Sequence, residues 1–172
     1  MPTEPTIVER DAQPYAGIGA SVTMDGFGDV IETAIPEVYK RLDALGVTPD
    51  GPPFVRYTAI DMEGRIEIEI GVPVAGAIED DGRVRPGLLP TGQYATLIHV
   101  GHPDGLLGAN EALQVWAHDK GLRVAMSTDG GVDLFESRFE SYRTDPATEP
   151  DPERWETEIA YLLATTREET RR

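Results

Sequence analysis

The chain has 172 residues, 40% hydrophobic and 27% charged, enough to bury one core and too apolar to be disordered. A formal charge of −16 disfavours nucleic acid as a partner, because phosphate contacts need clustered Lys and Arg, and favours cationic ligands instead. Cysteine is absent, which excludes disulfides, thiolate catalysis and Cys-ligated zinc.

In chain order, the opening Met1-Pro2-Thr3-Glu4-Pro5 lacks the basic and apolar stretches of a signal peptide, and no apolar run is long enough to span a membrane. A cytoplasmic protein with no membrane partner is expected. Residues 15–22 read as a strand. Ile31, Ala34, Ile35, Val38, Leu42 and Leu45 follow at helical spacing and stop at Gly46, a helix-ending signal. Pro36 is expected in a first turn or at a kink. Then come Phe54-Val55-Arg56-Tyr57 and Glu67-Ile68-Glu69-Ile70-Gly71-Val72-Pro73-Val74, both strand-like.

The same order returns. Residues 93–100 read as a strand, and Leu106, Ala109, Leu113, Trp116 and Ala117 as a helix ending at Gly121. Phe139-Glu140-Ser141-Tyr142 repeats the Phe and Tyr of the first half at an offset of 85, and Glu156-Thr157-Glu158-Ile159-Ala160-Tyr161-Leu162 repeats the Glu strand. A Pro-rich loop over 144–152 delays that last strand. The expected fold is α+β: a single domain over 1–172 made of duplicated β-α-β-β modules, about 5–75 and 86–165, related by a pseudo-two-fold axis. Helices should cover one face of an antiparallel sheet and leave a groove between the modules.

Side chains alternate across a strand, so Glu156, Glu158, Ala160 and Leu162 share one face, as do Glu67, Glu69 and Gly71. Carboxylates are depleted in strands, which makes these Glu faces the place to look for a site. Glu158 is the first candidate ligand contact and Glu69 the second, with small Ala160 and Gly71 leaving room beside them. Tyr57 and Tyr142 are taken as repeat-related walls, with Phe54, Tyr94, Trp116 and Trp155 as additions. A carboxylate without a partner there would hold a raised pKa or a water shell until a cation arrived. His99 and His102 lack a third ligand, neither Gly-x-Gly fragment completes a dinucleotide motif, and no metal or cofactor is expected.

Taken together, the segments Ile7-Val8-Glu9-Arg10-Asp11-Ala12-Gln13-Pro14-Tyr15-Ala16-Gly17-Ile18, Pro52-Pro53-Phe54-Val55-Arg56-Tyr57, Glu69-Ile70-Gly71-Val72-Pro73-Val74, Leu88-Leu89-Pro90-Thr91-Gly92-Gln93-Tyr94-Ala95, Glu140-Ser141-Tyr142-Arg143-Thr144-Asp145-Pro146 and Trp155-Glu156-Thr157-Glu158-Ile159-Ala160-Tyr161-Leu162 resemble the GyrI-like family, the AraC-type effector-binding domains of the SOUL-like superfamily. His102-Pro103 departs from a Pro-Tyr that members often carry. The resemblance implies small-molecule binding between two modules, with Glu158 matching the glutamate that meets a ligand's positive charge and aromatic rings walling it in. Many relatives carry the domain behind a DNA-binding segment, and a free-standing version is expected here. Three functions follow from the resemblance. The first is capture or sensing of hydrophobic, cationic compounds. The second is hydrolysis of strained electrophiles by Glu158 with Tyr142, and the third is a protein-interaction role such as modulating a topoisomerase. An exposed edge strand offers a route to a homodimer.

Overall fold

A computed structural model describes residues 3–61, 63–76 and 78–164. Met1, Pro2 and the expected end of the second module at 165 lie outside the described residues. In chain order the elements are β1 (Thr6–Arg10), β2 (Gln13–Val22), α1 (Phe27–Leu45), β3 (Phe54–Asp61), β4 (Ile66–Pro73), β5 (Arg85–Leu89), β6 (Gly92–Val100), α2 (Leu106–Asp119), β7 (Met126–Asp129), β8 (Val132–Phe135), β9 (Arg138–Tyr142) and β10 (Glu156–Leu162).

One antiparallel sheet runs β1-β6-β10-β9-β3-β4-β2-β5, with the β7–β8 hairpin attached to β3. The β-α-β-β unit occurs twice, as β2-α1-β3-β4 and, with the hairpin inserted, as β6-α2-β9-β10. The units meet where β3 pairs β9: Phe54 lies opposite Ser141, Arg56 opposite Phe139, and Val55 opposite Glu140. Because Phe54 and Arg56 correspond to Phe139 and Ser141 in the repeat, this register is its own mirror, and the pseudo-two-fold axis passes through the Val55–Glu140 pair. The flanking strands are exchanged. β1, ahead of the first unit, pairs β6 of the second, whereas β5, ahead of the second, pairs β2 of the first.

Alternation sorts the side chains. Ala16, Ile18, Val38, Leu42, Val55, Ile68, Ile70 and Val72 form a core beneath α1, while Ala95, Leu97, Ala109, Leu113, Ile159 and Tyr161 form a second beneath α2. Both helices therefore cover one face, since each can bury its apolar stripe only against the apolar side of its strands. The other face carries a third cluster, in which Tyr15, Phe54, Tyr94, Phe139, Ala160, Leu89 and Leu162 pack together. Gly46 ends α1 in the left-handed region at φ 68°, where its amide bonds back to the last turn.

Pro36 lies in the middle of α1 and not in its first turn. Pro36 and Glu32 are both exposed, so the Glu32 carbonyl that the missing amide would have bonded faces the wet side of the helix. Among the described residues no helix is long and apolar enough to cross a membrane.

Candidate functional site

On the face away from the helices, four rings cross the pseudo-axis in one row. Tyr15 meets Phe54 edge-to-face at 5.0 Å between centroids, Phe54 meets Phe139 at 5.9 Å, and Phe139 meets Tyr94 at 5.7 Å. The row is palindromic, because Tyr15 corresponds to Tyr94 and Phe54 to Phe139. Small residues make it possible: a Cβ added at Gly71 would lie 2.6 Å from Phe54, and one at Gly87 2.4 Å from Tyr15. The room beside Glu69 that Gly71 was expected to leave for a ligand is filled by the protein's own rings.

Above the second half of the row opens a groove of about 820 Å³. Phe54, Phe139, Tyr94 and Leu89 form its apolar side, the turn residues Asp11, Ala12 and Gln13 and the loop residues Asp50, Gly51 and Pro52 its rim, and Glu158, Arg10 and Arg143 its charged end. Glu158 is 5% exposed. It accepts a hydrogen bond from Arg10, and the Arg143 guanidinium lies 3.4 Å from the same oxygen. Arg10 also stands over the Tyr94 and Phe139 rings, at 5.9 and 5.6 Å from their centroids. The expectation of an unpartnered carboxylate is thus corrected: two guanidiniums compensate Glu158, as a buried charge requires. Three carboxylates against two arginines still leave the groove lining net negative.

The first half is built differently. Glu69 accepts a hydrogen bond from the Tyr15 hydroxyl at 2.6 Å, and Arg56 lies 3.8 Å away. Arg56 is itself pinned by the Tyr15 hydroxyl oxygen and by the carbonyls of Leu88 and Glu136. Burial raises the Tyr15 pKa, and the bond to Glu69 raises it further, so the hydroxyl stays a donor. The corresponding Tyr94 hydroxyl turns away, bonding the Pro90 carbonyl at 2.8 Å and Ser137 at 3.0 Å. Glu69 lines an open depression of about 570 Å³ with Glu67, Thr58 and Ser21.

The sequence profile of the GyrI-like small molecule binding domain matches residues 3–163. The chain belongs to that family. The EcmrR C-terminal domain superposes with a TM-score of 0.76 at 22% identity, covering 95% of this chain and 98% of that one. The EcmrR chain in its complex with DNA superposes equally well, at 22% identity and TM-score 0.76 over 95% of this chain, which spans only 58% of that one. SAV2435 bound to tetraphenylphosphonium matches over 96% of this chain and 97% of that chain, with 13% identity and a TM-score of 0.61. A hydrolase from Listeria innocua matches over 94% and 92%, with 16% identity and a TM-score of 0.61. No curated protein matches the chain.

In this GyrI-like domain Glu158, Phe54 and Tyr94 come together at the groove. Tyr57 and Tyr142 do not. Both lie on the helix face, packed into the core beneath α1, and Tyr57 stacks on Phe27 of α1 at 5.8 Å. The reason is parity: each Tyr is three residues after its Phe, an odd step that turns it to the opposite face. The same parity sets Glu158 and Tyr142, expected as a hydrolytic pair, on opposite faces of the sheet. Trp116 packs on α2 against the core beneath it, and Trp155 donates its indole N–H to the Glu149 carbonyl at 2.7 Å, closing the Pro-rich loop. Glu69 sits in the first half, as described. His102 is exposed and lies outside the groove.

The helix face holds its own buried polar network. Glu140, on the pseudo-axis, accepts from the Tyr57 hydroxyl at 3.0 Å and from Asn110 at 2.9 Å. Asn110 accepts in turn from the Tyr161 hydroxyl at 2.8 Å. Arg138 lies among the rings of Tyr57, Phe135 and Tyr161, 4.7 to 5.2 Å from each centroid. Burial pushes the Glu140 pKa up, against the pull of these hydrogen bonds and of Arg138 and His99. Tyr57 and Tyr142 are raised by burial and by the Glu140 charge. Sequence reasoning missed Arg10, Arg143 and Phe139 at the groove. For Phe139 a signal existed, since it is the repeat mate of Phe54.

Proposed function

We propose that the two modules act as one binding unit that captures or senses hydrophobic, cationic small molecules in the Glu158 groove. The observation that carries this reading is a buried carboxylate at the end of an aromatic trough that opens to solvent. A delocalised cation lying there would gain ring-face attraction and ion pairing at reduced dielectric. The net negative lining and the charge of −16 act in the same direction at longer range. SAV2435, a protein of the same fold, is bound to tetraphenylphosphonium, itself a hydrophobic cation.

The test is Glu158→Gln, titrated with rhodamine 6G by fluorescence anisotropy. Loss of a charged contact is expected to weaken binding by about 1–3 kcal/mol, roughly tenfold or more. Unchanged affinity in a folded variant would remove Glu158 from the mechanism.

A further inference from the structure

Glu158 already holds a cation, and that cation belongs to the chain. Arg10 occupies the place that a ligand's positive charge would need: bonded to the carboxylate, with its guanidinium over Tyr94 and Phe139. Its surroundings differ from those of an arginine fixed for structure. Arg56, the counterpart beside Glu69, bonds two backbone carbonyls and a hydroxyl and has a side chain 16% exposed. The Arg10 side chain is 31% exposed and bonds the Glu158 carboxylate, with no backbone carbonyl among its hydrogen-bond partners in the described residues. The backbone at Arg10 is held separately, through the β1–β6 ladder and a bond from the Thr91 hydroxyl to the Arg10 carbonyl at 2.9 Å. The side chain can therefore swing out through the open side of the groove while β1 stays in place.

We propose that Arg10 is a resident occupant of the cation subsite, and that a hydrophobic cation binds by exchanging with it at Glu158. This deepens the cation-capture reading and rests on it. The exchange makes Arg10 the residue that sets specificity. A tethered guanidinium is present at high effective concentration, so a small hydrated cation, which offers Glu158 only charge, does not displace it. A cation carrying aromatic groups re-covers the Tyr94 and Phe139 ring faces that a displaced Arg10 would bare, whereas a small hydrated cation leaves them wet, and this difference drives the exchange. A site that would accept any cation is thereby restricted to those with enough apolar surface. Arg143, 3.4 Å from Glu158 and at the solvent edge, keeps the carboxylate compensated while Arg10 is displaced.

Arg10→Met tests this, because Met keeps an unbranched apolar stem over the rings and removes the charge. Rhodamine 6G, tetraphenylphosphonium and tetramethylammonium are titrated by calorimetry into the wild type, Arg10→Met, Arg10→Lys and Arg10→Met/Glu158→Gln. Arg10→Met is expected to bind the two aromatic cations at least about tenfold more tightly and to acquire measurable affinity for tetramethylammonium. Arg10→Lys should remain near wild type, and the double variant should lose the gain. Wild-type binding that depends on Glu158, combined with equal or weaker binding by a folded Arg10→Met, overturns the exchange and leaves cation capture standing. Absence of binding by both proteins for all three cations overturns both. Should Arg10→Met fail to fold, the wild type still decides. Saturation with tetraphenylphosphonium should release the Arg10 side-chain N–H into fast solvent exchange in nitrogen-15 NMR, and an unchanged signal refutes the exchange.

Discussion

Glu140→Gln isolates the buried charge on the pseudo-axis. In the folded chain burial holds the Glu140 carboxyl above its ordinary value of 4.5, although Asn110, Tyr57, Arg138 and His99 all pull the other way. The folded state therefore binds the proton more tightly than the unfolded chain. Stability is greatest below 4.5, where both states are protonated, and is lost as pH rises through the folded value, beyond which it levels off. Inside that window the folded chain carries up to one extra proton, so the unfolding free energy falls by up to about 1.4 kcal/mol per pH unit. Glutamine has no such proton. Its amide also places a donor where the carboxylate accepted from Tyr57 or Asn110, an offset of about 1–3 kcal/mol that does not vary with pH. Urea unfolding followed by Trp116 and Trp155 fluorescence, from about pH 4 to about pH 8, gives both curves, and subtracting them cancels the other titrating groups. The stability of the wild type relative to Glu140→Gln should decline with rising pH. A flat difference, or one that climbs, would refute the assignment of burial as the dominant influence on Glu140.

Tyr142→Phe should leave rhodamine 6G affinity within about twofold of wild type, because the residue faces α1 and not the groove; a tenfold loss by anisotropy would mean the faces are wrongly assigned. Gly71→Ala drives a methyl into Phe54 and Tyr15, and should destabilise by about 1–3 kcal/mol. For a chain of this size that is a drop in Tm of roughly 2–4 °C for each kcal/mol, and an unchanged Tm by scanning calorimetry would show that the ring row yields without strain.

Local pattern carried most of the fold. The alternating Glu67–Glu69 and Glu156–Glu158 segments announced their own faces, and the helical period of Ile31 through Leu45 with Gly46 behind it placed α1. The exchange of β1 and β5 between modules was not legible, because alternation says which face a residue takes and nothing about which strand lies alongside. Arg10 entered the site only through that exchange, across 148 positions from Glu158. The β7–β8 hairpin did leave a signal, Asp129-Gly130-Gly131 with both glycines at positive φ, but it has no counterpart in the first module and a search for repeats passes over it. Tyr57 and Tyr142 were misplaced for the opposite reason. The repeat drew attention to them, while an odd spacing from Phe54 and Phe139 already sent them to the helix side.

Duplication should produce two equivalent acid sites, and small changes on the shared face break that equivalence. Tyr15 spends its hydroxyl on Glu69, whereas Tyr94 turns to Ser137 and the Pro90 carbonyl and leaves Glu158 to charged partners alone. At the position of Arg56, whose bonds to two carbonyls lock the first site, the second module has Ser141, too short to reach across. The vacated volume becomes the groove, and the cation that fills the corresponding role, Arg10, comes from an edge strand with one side open to solvent. Binding should therefore be confined to one half of a nearly symmetric molecule. One cation per chain is the expected calorimetric stoichiometry, and two would mean that the hydroxyl clasp on Glu69 opens as readily as the guanidinium clasp on Glu158.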